Sequence, residues 1–241
     1  MKQKYVINYS PNFSSYRRIN KEIKFIIIHY TGMKKEHKAI ERLIDINSKV
    51  SCHYFIRKNG EIILMVPENY VAWHAGKSNW GKYSSLNNFS IGVELQNSGH
   101  QYGYKNFETK QINSLIKLCK KISKKFKIKK QNILGHSDIS FDRKQDPGEK
   151  FPWKLLAKNN IGIWHNFNEK KLKKFRKIKI DKKDEKVFFK NLNKIGYLTL
   201  NLDTLKRRKL VAAFQRRYRP KLINSIIDLE CAEIAKKISK Y

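Results

Sequence analysis

Acidic residues are scarce in this chain of 241 residues: 20 Asp and Glu face 53 Lys and Arg, a formal net charge of +33. Cysteine is scarcer still. Cys52, Cys119 and Cys231 form no CxxC pair and leave one over, which excludes a disulfide framework and a Cys-rich zinc site and reads as reduced, structural thiols. Long hydrophobic runs are missing as well. Stretches such as Phe25 to Ile28 or Ile62 to Val66 fall far short of the roughly 18 residues that a membrane span needs. The opening MKQKYVINYSPNFSSYRR has no apolar core followed by a small-residue cleavage site, so no secretory signal is visible. The default expectation is a cytoplasmic protein, with the cell envelope left open. No GxSxG elbow, P-loop or dinucleotide fingerprint occurs, which leaves serine acyl transfer and nucleotide chemistry without support.

What is present is enough for a core. Hydrophobic residues make up 40% and aromatics 12%, too much for a disordered polycation. The cations are 42 Lys and 11 Arg, spread through every segment beside many Ile and Asn. Arg is the residue that specific phosphate readers favour. This pattern is a bias of residue usage more than a nucleic-acid patch. No specific nucleic-acid partner is expected, and attraction to acidic polymers or peptides fits better.

Along the chain, KFIIIHY from Lys24 is apolar on both faces, as in a covered central strand. Ala39, Leu43 and Ile46 then repeat at helical spacing. CHYFIRKNGEIILMVP reads as a hairpin about Asn59-Gly60, closed by Pro67. In SIGVELQN, Ile91, Val93 and Leu95 share one face and Gly92, Glu94 and Gln96 the other. Thr109 to Phe126 is an amphipathic helix. NILGH is a short strand, followed by the loop SDISFDRKQDPGEKFPW and a helix from Trp153. The expected fold class is α/β, a mixed central sheet flanked by helices, over residues 1–165. Residues 166–183, with nine Lys and Arg in NEKKLKKFRKIKIDKK, read as a charged linker. Residues 184–241 read as a small three-helix domain, with Gly196 ending its first helix and Asp203 and Asp228 opening the others.

The chemistry available is that of His and carboxylates. His29 and His136 each end a strand, and strand-end histidines can converge at one rim of a sheet, where α/β proteins bind ligands. A hydrogen-bonded core role is the plain alternative for either. Asp146 precedes Pro147, which favours an extended conformation, so Lys144 and Asp146 would project to one side of their loop. Two neutral imidazoles and a carboxylate are the ligand set of a catalytic zinc site with one position open. Glu94 is the available general base, or else a solvent-facing strand residue.

The segments FIIIHYTGM, SCHYFIRKNGEI, VAWHAG, SIGVELQN, LGHSDIS and RKQDPGEKFPW, in that order, resemble the zinc-dependent N-acetylmuramoyl-L-alanine amidases of the amidase-2 type, which share their fold with the peptidoglycan recognition proteins. The resemblance runs from about Tyr9 to His165. It implies Zn2+ as cofactor with His29, His136 and Asp146 as ligands, Glu94 as catalytic glutamate and Lys144 as the transition-state lysine. Trp73, His74 and Tyr30 are candidates for contacts with substrate, while His37 and His100 read as surface residues. GYLTLNLDTLKRRKLVAAFQRRYRP, with DLECAEIAKKI, resembles the peptidoglycan-binding helical module of lipoprotein amidases. The implied partner is peptidoglycan or an (anhydro)muropeptide. A receptor without activity and a basic nucleic-acid-binding protein are the competing readings.

Overall fold

The structure, a computed structural model, describes residues 5–241. Its strands are β1 (Val6–Ile7), β2 (Phe13–Ser14), β3 (Phe25–Tyr30), β4 (Tyr54–Ile56), β5 (Ile62–Leu64), β6 (Val71–Ala72), β7 (Asn79–Trp80), β8 (Tyr83–Ser84), β9 (Ser90–Leu95) and β10 (Ile133–Gly135). Six of them form one sheet in the order β1-β5-β4-β9-β3-β10. Only the β4–β5 hairpin is antiparallel within it. The α-helices are α1 (Glu36–Ile44), α2 (Thr109–Phe126), α3 (His136–Ile139), α4 (Trp153–Lys158), α5 (Glu169–Phe175), α6 (Lys182–Ile195), α7 (Thr204–Tyr218) and α8 (Leu229–Ile238). The mixed α/β sheet read from the sequence is the observed one. Among the described residues no helix is long and apolar enough to cross a membrane, and all three cysteines are buried and free.

The all-apolar run of β3 is explained by cover on both faces. Its even side chains, Ile26 and Ile28, join Ile91, Val93 and Leu95 of β9 under Ile112, Leu115, Ile116 and Cys119 of α2. Its odd side chains, Phe25 and Ile27, join Leu134 of β10 in a second core with Phe188 and Leu192 of α6, Phe214 and Tyr218 of α7, and Ile234 of α8. A third cluster packs Ala39 and Leu43 of α1 on Phe55 and Ile63. His29, two residues on from Ile27, therefore lies on the face that the C-terminal helices cover.

The three C-terminal helices lie where their end signals placed them, but their core is continuous with that of the sheet. The charged segment 166–183 is helical in part. It contains α5, whose Leu172 is buried. Arg176 donates to both carboxylate oxygens of Glu230, at 2.6 and 2.7 Å. That partner lies 54 positions further on, beyond the reach of any local sequence pattern.

Candidate metal centre

His29 and Glu94 are neighbours because β3 and β9 run parallel with His29 opposite Glu94. His136 arrives from the next strand, β10, although it opens α3 and is not the strand's last residue. The loop that returns Asp146 is tied to α3 by the Ser137 N–H, which donates to the Asp146 carbonyl at 2.8 Å. Gly135 permits this: a Cβ there would stand 2.6 Å from Cδ of Pro147.

The result is a tight triangle. Nδ1 of His29 and Nδ1 of His136 are 3.0 Å apart, and each is 3.1 Å from Oδ2 of Asp146. All three residues are buried. A tetrahedral ion with bonds of 2.0–2.2 Å has ligand-to-ligand edges of about 3.3–3.6 Å, so small outward movements would seat one. The donor set, two imidazole nitrogens and a carboxylate oxygen, fits a divalent cation. Burial pushes His29 down to about 4, helped by the neighbouring His136 and opposed by Asp146, which keeps the ring neutral as a ligand must be. Burial works against the Asp146 charge, but the two imidazoles outweigh it and hold the carboxyl well below its usual range.

Glu94 faces this triangle. Burial, reinforced by the charge of Asp146 and opposed by Lys144, raises its carboxyl to about 8. Its Oε2 is buried and has no hydrogen-bond partner. Lys144 is half-buried, anchored by its backbone N–H to the Ser140 carbonyl at 3.0 Å. Its charge acts on both His29 and Glu94. All five residues singled out in sequence for metal and proton chemistry thus converge.

The three candidates for substrate contact lie differently. Tyr30, at the end of β3, bonds through its hydroxyl to Nδ1 of His100 at 2.7 Å, and Nε2 of His100 meets Glu149 at 3.0 Å. His100, expected as a surface residue, is thus a bridge at the rim. No local pattern in the sequence announces it. Trp73 turns away, its indole N–H donating to Ser14 Oγ at 3.0 Å. His74, the next residue, faces the opposite way, as in any extended segment. It is 9% exposed, with its Nδ1 3.0 Å from Nε2 of His29.

Comparison with known proteins agrees with this geometry. Residues 19–149 match the Amidase_2 family, N-acetylmuramoyl-L-alanine amidase, and the chain belongs to that family. It is 35% identical over 233 residues to the N-acetylmuramoyl-L-alanine amidase AmiD of Escherichia coli, covering 91% of this chain and 83% of that one. It is 35% identical over 162 residues to the 1,6-anhydro-N-acetylmuramyl-L-alanine amidase AmpD of Haemophilus influenzae, covering 60% and 85%. Among solved structures, that of E. coli AmiD with anhydro-N-acetylmuramic acid-L-Ala-D-gamma-Glu-L-Lys superposes with a TM-score of 0.81 at 31% identity, over 94% and 91% of the chains. That of AmpDh3 from Pseudomonas aeruginosa with anhydromuramic pentapeptide gives 0.79 at 29%, over 94% and 96%.

Proposed function

We propose that this chain is a zinc amidase that hydrolyses the amide joining the lactyl group of N-acetylmuramic acid to L-alanine, in peptidoglycan or in anhydromuropeptides of the kind bound in the AmiD and AmpDh3 structures. The observation that carries the reading is the buried triangle of His29, His136 and Asp146 facing a carboxyl whose outer oxygen has no partner. Zinc held by those three side chains would act as a Lewis acid toward water and the scissile carbonyl.

The chain's own residues supply the rest. Glu94, on the neighbouring strand, accepts the proton of the attacking water and returns it to the departing amine of L-alanine. A carboxyl raised to about 8 is a poor base at neutral pH, but a cation among the three donors would lower it again. Lys144 offers its ammonium where negative charge grows on the carbonyl oxygen. Tyr30 follows His29 on β3 and is tied to His100 and Glu149, where it would limit how the sugar or peptide approaches. The full set of acid, base and ligand groups favours an enzyme over a receptor without turnover.

The test is metal analysis of the purified protein together with cleavage of a defined muropeptide. About one zinc per chain and release of free peptide with a new L-alanine amino terminus are expected. Bound muropeptide without turnover would make the chain a receptor. Location is a separate proposal, cytoplasmic by default, checked by fractionation of cells into soluble and envelope material.

A further inference from the structure

The two histidines of the triangle present Nδ1 to Asp146, so each neutral ring must carry its hydrogen on Nε2 if Nδ1 is to offer a lone pair. For His136 that hydrogen has an ordinary destination, the carbonyl of Ala75 at 3.2 Å. For His29 the neighbour is another imidazole, with Nε2 3.0 Å from Nδ1 of His74. Nε2 of His74 in turn lies 3.2 Å from Oγ of Ser90, and Ser90 donates its hydroxyl hydrogen to the Leu86 carbonyl at 2.6 Å.

A carbonyl only accepts. The single hydroxyl hydrogen of Ser90 is therefore committed to Leu86, and Ser90 Oγ must accept from the Nε2–H of His74. A neutral His74 with its hydrogen on Nε2 has a bare Nδ1, which accepts from the Nε2–H of His29. The direction of each hydrogen bond follows from the one before it, beginning at a main-chain oxygen that cannot change role. We infer that His74 and Ser90 are positioning residues that fix the tautomer and ring orientation of His29 as a metal ligand, an inference that rests on the metal reading above.

The surroundings hold this chain of bonds still. The His74 main-chain N–H donates to Asn87 Oδ1 at 3.0 Å. The rings of His29 and His74 meet edge to face at 80°. The His74 ring occupies space over Gly92 that no other residue would leave, since a Cβ at position 92 would stand 2.4 Å from its Cγ. Simple packing would account for a buried aromatic ring here, but not for a donor and acceptor placed at both of its nitrogens. An apolar ring would strand the Nε2–H of His29 without a partner.

Zinc affinity, measured by competition with a chromogenic chelator, reads this directly. Loss of a partner of this kind typically costs 10–100-fold in metal affinity. His74→Phe should lose about that much, and His74→Asn, whose Oδ1 can stand near the lost Nδ1, should recover part of it. Ser90→Ala should lose a smaller but measurable factor. In the zinc-loaded wild-type protein, long-range nitrogen-proton NMR should find His74 protonated at Nε2 with a bare Nδ1. Affinity within twofold of wild type in all three variants would overturn the inference, as would a proton on Nδ1 of His74. So would losses that merely track the melting temperatures of the metal-free variants. If His74→Phe does not fold, Ser90→Ala and the tautomer measurement still decide. Wild-type protein whose zinc affinity is indifferent to His29→Ala would instead remove the metal reading, and this inference with it.

Discussion

At the scale of single residues, Glu94 and His165 each carry a buried polar atom with nothing to bond to, and the two consequences differ. Glu94 sits beside the proposed metal ligands with a carboxylate oxygen that no protein group occupies. Glu94→Gln keeps the volume and removes the base. It should retain zinc and lose about 10² or more in turnover, the usual scale for a positioned general base. Metal content and muropeptide hydrolysis measured on the same sample check this, and a near wild-type rate would assign the proton transfer elsewhere. Lys144→Met should lower kcat by about 10² to 10³ with a smaller change in KM, because its charge matters most when the carbonyl oxygen is most negative. A raised KM with kcat intact would make Lys144 a binding residue.

His165 serves no chemistry. Its Nε2–H donates to the Tyr218 carbonyl at 3.2 Å, its Nδ1 has no partner, and burial lowers it to about 4. Protonation would place an unsatisfied charge between the sheet and α7. A base lowered in the fold binds fewer protons folded than unfolded, so its stabilising effect is complete above about pH 6.5 and is lost as pH falls toward 4. His165→Gln should therefore reduce the acid sensitivity of unfolding by about 2 kcal/mol between roughly pH 7.5 and pH 5. Urea unfolding of both proteins at the two pH values measures it. Equal pH slopes would mean that the ring is solvated in the folded state.

At the scale of elements, the short helix α3 that begins with His136 is fastened from the far end of the chain. Arg217 of α7 pairs with Asp138, their side chains 2% and 1% exposed, and donates to the Ile133 carbonyl at 3.0 Å. The Tyr197 hydroxyl donates to the other oxygen of Asp138 at 2.6 Å. The guanidinium also lies over Trp153, 4.0 Å from the ring centre. Arg217→Met leaves a buried carboxylate without its cation, which costs about 3–5 kcal/mol. The pair Arg217→Met with Asp138→Asn should cost less than the sum of the two single changes, as denaturant unfolding would show. Removing residues 184–241 would uncover Phe25, Ile27 and Leu134 and strip Asp138 of both its side-chain partners, leaving only the Gly135 N–H, so the fragment should not melt cooperatively. A soluble, active fragment would make the helices a separable module. These contacts explain which parts of the molecule could be read in sequence. The hairpin at Asn59-Gly60, the alternation of β9 and the spacing of α2 are local patterns, and their boundaries fall within a few residues of expectation. His29, His136 and Asp146 were legible through motif segments. The partnership of Asp138 with Arg217 spans 79 positions and has no local signature. The resemblance of the last helices to a separate module hid their second duty as cover for the sheet.

At the scale of the whole molecule, the net charge of +33 surrounds a site whose His29, His136 and Asp146 are buried and in mutual contact. The two should respond to salt differently. Screening shortens the reach of exposed charges from about 10 Å at 0.1 M to about 3 Å at 1 M, so capture of a polyanionic, insoluble cell-wall polymer should weaken steeply across that range. The chemistry proposed for Glu94 and Lys144 acts over contact distances, which screening by salt affects least. For a soluble muropeptide, kcat should accordingly change by less than about threefold over the same range, with the salt effect confined to KM. Pull-down with purified sacculi and steady-state kinetics on the soluble substrate, run in parallel, separate the two. A kcat that falls with salt as steeply as retention would mean that the field of the surface lysines reaches the reacting amide. Retention on sacculi that is indifferent to salt would mean that the polymer is held by specific contacts and that the lysine excess plays no part in it.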